Sequence, residues 1–411
     1  MRNKKCFGIP VIVAAVIFLS AGFSFAAEPQ SSAADKNDNK ADSWKGSLVL
    51  GVELTKESNI YNLTSKAADD LDINAPNDVA SGRFKNMESV DDLIFSPSIF
   101  AIFKTPGDSD IEIRPRLTYH MFTDNSEKSH PVFDIKVKKG FSGDKFLALE
   151  TEYMTNVFKK NYLADAVDQN ANNNISSSEK IYKGAYYTDT LVDIIYGQNL
   201  WKTMKTDGIG PIFEKISADV LLGVEYKEYD APFAARSEDV LKIGAGVKFD
   251  FKGNISVRGA YLREQATTPV KAEIMILDET ILGVDLNGVG GIAQTKAKTM
   301  QNIDRAHNDN TFSLKVDVEF PSNWNWFVKL KHSTQTYTSK EKYDFTHKDR
   351  EDTLDSFGLG VEKEIIKDLR LAVEWTKISE DADRKGVQLI DPADEKAYKN
   401  TVYAVSLLYK I

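Results

Sequence analysis

From Lys45 to the last residue, Ile411, apolar and polar residues alternate with period two, in blocks separated by turn-forming residues. That period sends one set of side chains to one face of a strand and the rest to the other. In 240–250, Leu241, Ile243, Ala245, Val247 and Phe249 share a face, opposed by Lys242, Gly244, Gly246, Lys248 and Asp250. In 110–121, Ile111, Ile113, Leu117, Tyr119 and Met121 oppose Glu112, Arg114, Arg116, Thr118 and His120. In 311–320, Phe312, Leu314, Val316, Val318 and Phe320 oppose Ser313, Lys315, Asp317 and Glu319. Fourteen such segments are found, the others near 47–55, 93–103, 132–138, 145–154, 185–196, 217–228, 254–264, 325–335, 355–363, 369–377 and 401–411. A hairpin at 268–277 and 280–290 would raise the count to sixteen. No long stripe of helical period competes, so the expected class is all-β.

The connections carry more information than the strands. Long ones fall near 56–92, 122–131, 155–184, 229–239, 265–310, 336–354 and 378–400. Short ones, near 104–109, 139–144, 251–253, 321–324 and 364–368, alternate with them; 197–216 is the exception. The short ones hold turn chemistry, as in Pro106-Gly107-Asp108, Gly253-Asn254 and Pro321-Ser322-Asn323. A soluble up-and-down barrel has no reason for such asymmetry, whereas a transmembrane barrel has short periplasmic turns and long extracellular loops. Many segments have the roughly ten residues that a tilted membrane strand needs. Phe103, Tyr119, Tyr153, Tyr196, Tyr226, Phe249, Tyr261, Phe320, Trp326, Trp375, Tyr403 and Tyr409 cluster toward strand ends on the apolar face, where amphipathic rings suit the two membrane interfaces. The expected architecture is an antiparallel up-and-down transmembrane barrel of 14–16 strands.

Composition agrees. With 42% hydrophobic and 27% charged residues, the mean hydropathy of −0.35 excludes a bundle of membrane helices. The net charge of −9 argues against nucleic acid as a partner. The single cysteine, Cys6, excludes an intrachain disulfide. Arg2, Lys4 and Lys5, the apolar run 7–19 and the small residues Ser24 and Ala26 have the layout of a secretory signal peptide over 1–27. Residues 28–44 read as a flexible polar lead-in, and 45–411 as one barrel domain.

The mature chain resembles, in pattern, the outer-membrane porins of Gram-negative bacteria. The best local match is the final strand, where Tyr403, Val405, Leu407 and Tyr409 alternate, although it closes on Ile411 where such barrels usually place Phe. The resemblance implies residence in the outer membrane with the lipid bilayer as partner, a water-filled lumen passing small hydrophilic or ionic solutes, a homotrimer or a monomer, and no covalent chemistry. With the apolar face toward lipid, the lumen would be lined by Arg114, Arg116, Lys136, Lys138, Glu150, Glu152, Lys242, Lys248, Arg258, Lys329, Lys331, Arg370 and Glu374. Arg114, Arg116, Lys136 and Lys138 would form a basic ladder unless the acids of the same strands neutralise it. The segment 265–310 is long enough to fold into the lumen as a constriction or to stay outside as a hairpin.

Residues 168–179, DQNANNNISSSE, are similar to the EF-hand calcium loop. Asp168, Asn170 and Asn172 fall on the first side-chain ligand positions. Asn174 would offer its carbonyl, Ser176 a hydroxyl or a water, and Glu179 a bidentate carboxylate to Ca2+. Asn173 replaces the usual turn glycine. Residues 162–167 could make a short helix before it. The other reading is an Asn/Ser-rich loop that matches by composition.

No phosphate-loop, zinc-protease or serine-hydrolase motif is present. His347, among Asp344, Asp349, Glu351 and Asp352, could be a base with its orienting acid, but a solvated charged loop is the commoner meaning. The rivals to a porin are a substrate-specific transporter, a rim enzyme, a calcium-stabilised surface or adhesive barrel without an open pore, and a sheath around a separate cytochrome.

Overall fold

The computed structural model describes residues 44–72, 83–105, 110–142, 144–166, 180–202, 213–269, 305–338, 350–384 and 397–411. The strands, in chain order, are β1 (Lys45–Glu57), β2 (Asp92–Lys104), β3 (Ile111–Phe122), β4 (His130–Phe141), β5 (Lys145–Ala166), β6 (Lys180–Lys202) and β7 (Phe213–Tyr229). They continue with β8 (Glu238–Phe251), β9 (Ile255–Thr267), β10 (His307–Phe320), β11 (Trp324–Tyr337), β12 (Arg350–Ile366), β13 (Leu369–Arg384) and β14 (Tyr398–Lys410). Each pairs antiparallel with its chain neighbours, and β1 pairs β14, so the sheet is a closed barrel of fourteen strands. The ladder continues to the last residue, where Ile411 and Leu48 exchange backbone hydrogen bonds of 2.8 and 3.3 Å.

The strand count is fourteen, not sixteen. The two edges of β9 are taken by β8 and β10, from Asp239↔Thr267 on one side to His307↔Ala266 on the other, which leaves no place in the wall for a further hairpin. Most of 268–290 lies outside the described residues. The connection expected over 197–216 also shortens, because β6 and β7 pair down to Lys202↔Lys215.

Alternation follows the register. On β8, Leu241 and Ile243 point outward and are exposed, while Val240 and Gly246 point inward and are buried. On neighbouring strands Leu222, Tyr261, Phe312, Leu330, Phe357, Tyr403 and Leu407 continue this exposed apolar belt. Exposed rings edge it at both ends: Tyr196, Phe320, Trp326 and Tyr409 toward the short turns, and Tyr119, Tyr226, Tyr261 and Tyr403 toward the long loops. In water such a surface would drive aggregation; in a bilayer it is the surface that lipid wets.

The short turns owe their tightness to residues that tolerate positive φ. Asp110, Asp144, Gly253, Asn254, Ser322, Asn323 and Asp368 all sit there, with φ from 38° to 88°. The long-loop end carries the extra structure, including helix α1 (Ser65–Asp72) within the first long loop.

This inside–outside assignment can be checked by substitution. Leu222→Arg, on the exposed outer face, is expected to lower the unfolding free energy in lipid vesicles by about 2–4 kcal/mol. Ser313→Arg, facing inward, should change it by only ~0.5 kcal/mol in the same denaturant titration. Equal effects at the two sites would invert the assignment.

Candidate functional site

The lumen is built from the inward half of each strand. All thirteen lining candidates face it by register, as chains of cross-strand partners such as Arg114↔Lys136↔Glu150 and Arg116↔Asp134↔Glu152 show. Arg114 and Lys136 are therefore side-by-side neighbours on the wall, as the basic ladder requires. Three of its four cations are nonetheless paired with acids. Arg114 bridges Glu112, Arg116 bridges Asp134 at 2.7 Å, Lys136 bridges Glu150, and Lys138 lies 4.4 Å from the Phe146 ring centroid.

Most of the other lining bases are paired as well. Lys242 sits between Glu225 (2.5 Å) and Glu264 (3.5 Å). Lys248 pairs Asp250 and Arg258 pairs Asp219, each at 2.8 Å. Lys329 binds both oxygens of Glu374, at 2.9 and 2.8 Å, and Arg370 reaches Glu362 at 3.5 Å. Lys331 stands between Ser313 and Ser356 with no ion pair among the described residues. Many inward charges stay hydrated: the side chains of Arg116 and Lys329 are 49% and 45% exposed. A lumen filled by side chains could not leave them so. Exposed pairs of this kind contribute at most ~1 kcal/mol each, so they shape the field more than the stability.

Toward the long-loop end the regular wall gives way to an irregular hairpin. β5 and β6 run on as a hairpin whose register shifts three times, between Met154/Val157, Phe158/Asn161 and Leu163/Asp165. Asn156 takes a φ of 56° at the first shift. Such bulges bend a strand and re-aim its side chains. The bend carries Lys159 within electrostatic range of Glu57 on β1, Lys227 on β7 and Glu380 on β13. β13 stands six strands round the barrel from β5.

Two loops clamp the hairpin, one on each face. The first long loop supplies a small core of Ile60, Tyr61, Leu63, Ala67, Leu71, Phe84, Met87 and Val90 around Phe158, with Tyr186 packed against it. The Asn161 side-chain amide donates to the carbonyls of Arg83 (2.9 Å) and Lys85 (2.6 Å). On the other face Tyr162 packs with Phe233, Tyr229 and Ala185, and Arg236 lies 3.8 Å from the Tyr162 ring centroid.

A polar hub fixes the second long loop. Asp92 is fully buried and accepts hydrogen bonds from the backbone of Thr123 (2.9 Å), Asp124 (3.1 Å) and Asn125 (2.8 Å). Asn125 in turn accepts from the Tyr61 hydroxyl at 2.9 Å. The loop then presents Lys128, whose ammonium donates to the carbonyls of Phe158 (3.3 Å) and Lys159 (3.5 Å) and lies 4.7 Å from the Tyr61 ring centroid. Burial, seconded by the like charge of Lys159, pushes the Lys128 amine down to about 7.

The site differs from expectation at the third long connection. Strand pairing continues through most of 155–184, and β5 occupies the residues up to Ala166 where a short helix was expected. The calcium-loop residues Asp168, Asn170, Asn172, Asn174, Ser176 and Glu179 lie outside the described residues, as do His347 and most of 265–310. Asp352, offered as an acid near His347, is buried and taken by Arg350 at 2.6 Å. Lys128 and Lys159 were not found by alternation, because both sit where alternation is interrupted. The three asparagines, Asn125, Asn156 and Asn161, were the available signal of turns and bulges.

No family model matches this chain, and no curated protein matches it. Among solved structures it is similar to an anion-selective porin from Comamonas acidovorans, with a TM-score of 0.34 and 9% identity over 90% of this chain and 100% of that one. It is also similar to OccAB3 of Acinetobacter baumannii (TM-score 0.38, 10% identity, 89% of this chain and 99% of that one). OprD of Pseudomonas aeruginosa gives a TM-score of 0.35 at 10% identity, over 89% of this chain and 95% of that one. The chain's own wall decides its class. A closed antiparallel barrel with an apolar outer belt, short turns at one end and long loops at the other is an outer-membrane β-barrel.

Two measurements test the mouth. Asp92→Ala would leave three backbone donors without their acceptor, of which the buried one, at Asn125, would cost about 1–3 kcal/mol. Residues 123–129 are then expected to become sensitive to protease while the barrel keeps its heat-modifiable mobility. Lys128 is expected to titrate near 7 in competitive acetylation. In an undocked loop it would titrate near the ordinary ~10.4. The penalty for burying its charge is therefore full below pH 7, and docking strengthens as pH rises from 7 through the ordinary lysine range. Protection of 123–129 from acetylation that does not grow with pH would contradict this.

Proposed function

We propose that the protein is a passive channel of the outer membrane, through which small hydrophilic or ionic solutes diffuse. The observation that carries this reading is the state of the lumen charges. Several bases among them, Arg116 and Lys329 included, point inward with side chains 49% and 45% exposed, which is what a water-filled barrel allows. The paired wall makes that water a neutralised medium for ions of either sign. At the mouth, the β5–β6 hairpin carries a largely buried cation, Lys159, where its register departs from the wall. This side chain makes no hydrogen bond or ion pair among the described residues. Near a cation in a confined passage, anions are favoured over cations.

A second reading, a channel selective for one class of solute, is favoured by the two loops that clamp the hairpin, one on each face. We keep calcium as part of the proposal on the ligand pattern of 168–179 alone, with Asp168 and Glu179 as its acidic ligands. In that role the ion would stiffen the tip of the same hairpin, which joins β5 to β6.

Conductance in planar bilayers tests the reading. Stable ohmic steps are expected, with a reversal potential in a salt gradient that moves toward cation preference in Lys159→Glu. Chelation of calcium should increase the gating noise of the unaltered channel, and Glu179→Gln should reproduce that change. A correctly folded barrel that does not conduct would overturn the channel.

A further inference from the structure

Two histidines face each other on the inner wall, and no part of the channel reading uses them. His120 of β3 and His130 of β4 are direct cross-strand partners in the inward register. Their ring centroids lie 5.3 Å apart, with the planes inclined at 48°. Each ring is held through Nδ1. His120 Nδ1 meets the Ser96 hydroxyl at 2.8 Å, and His130 Nδ1 meets the backbone carbonyl of Lys128 at 2.6 Å. A carbonyl can only accept, so His130 carries its proton on Nδ1, and its Nε2 offers a lone pair. The Ser96 hydroxyl can accept from His120 in the same way. Neither Nε2 has a hydrogen-bond partner among the described residues.

This is the arrangement that outer-shell groups impose on metal-binding imidazoles: one nitrogen donates to a carbonyl or hydroxyl, and the other is left to the metal. The spacing fits as well. Two imidazoles bound through Nε2 to one tetrahedral ion at ~2.0–2.1 Å place their ring centroids about 5 Å apart. The adjacent cations are turned to partners of their own. Arg116 is neutralised by Asp134 at 2.7 Å, and the Lys128 ammonium is turned to the carbonyls of Phe158 and Lys159.

We infer that His120 and His130 form a two-imidazole site for a divalent first-row transition ion of the Zn2+, Ni2+ or Cu2+ group. Imidazole selects these ions over calcium and magnesium, which prefer oxygen. Two protein ligands leave the remaining positions to water or to donor atoms of a solute in the lumen. The site is thus one where a metal ion, or a chelate with open positions, lodges at the neck of the barrel. It does not depend on whether the barrel conducts.

The test is Cu2+ titration of the refolded full chain in detergent, followed by electron paramagnetic resonance. One bound ion per barrel with hyperfine structure from two nitrogens is expected. His120→Ala/His130→Ala should abolish that signal while leaving heat-modifiable mobility intact, and a tenfold excess of Ca2+ should not displace the ion. Ser96→Ala, which keeps both imidazoles, should weaken binding about tenfold, as loss of an outer-shell partner does. Absence of nitrogen-coordinated copper in the unaltered protein, a reading that needs no variant to fold, would overturn the site. So would an undiminished signal in the double variant, which would place the ion on His307, His332 or His347.

Discussion

The structure depends first on closure of the backbone ladder. In hydrocarbon no water is available to satisfy an amide or a carbonyl, so an open sheet edge costs several kcal/mol for each unpaired group. Pairing of β1 with β14, from Val49↔Lys410 to Glu57↔Val402, removes the edge. Once the sheet is closed, the period-two pattern has only two destinations, lipid and lumen. Leu48, Leu50, Val52 and Leu54 on β1 take the first; Val49, Gly51 and Glu53 take the second. The polar half of the sequence, which would coat the surface of a soluble protein, is therefore concentrated around an interior.

That concentration sets the electrostatics. Acids and bases packed on one concave wall are a few ångströms from partners on adjacent strands, and cross-strand pairs of opposite sign are the natural outcome. Inward glycines make room for bulky neighbours. A Cβ at Gly360 would overlap the Phe327 ring, and one at Gly197 the Phe146 ring. Phe327 thereby lies against Lys315 and Lys329, with ammonium-to-centroid distances of 5.3 and 4.8 Å, much as Phe146 lies against Lys138.

The wall was legible in the sequence because its constraint is periodic and local. Each strand must alternate, each short turn must reverse the chain in a few residues, and Gly253-Asn254 or Ser322-Asn323 announces that directly. The mouth was not legible, for a physical reason. β5 passes from wall to hairpin through three register shifts, and each one moves the following side chains to the other face. Read as a strand, 155–166 loses its phase; read as a loop, it carries too many aromatics. The hub at Asp92 was hidden for a different reason. Its partners at Thr123, Asp124 and Asn125 are brought to it by the pairing of β2 with β3, which single-strand periodicity does not describe.

The division between a regular wall and an irregular mouth also separates two electrical roles. A wall of bridged pairs, with oppositely charged atoms mostly within 3.5 Å of each other, presents small dipoles to an ion in the centre of a wide lumen. Solution at physiological salt screens their fields over ~8 Å. In the proposed channel such a wall keeps the passage wet without choosing strongly among ions. Discrimination needs a charge that is held close to the solute, in a place too narrow for full screening. In the proposed channel the bulges supply that place, because there the β5–β6 hairpin leaves the register of the wall and carries Lys159 with it. The two clamping loops then keep the hairpin there, through Phe158 on one face and Tyr162 on the other. In the proposed channel, selectivity thus belongs to the one hairpin that abandons the rule the rest of the wall obeys.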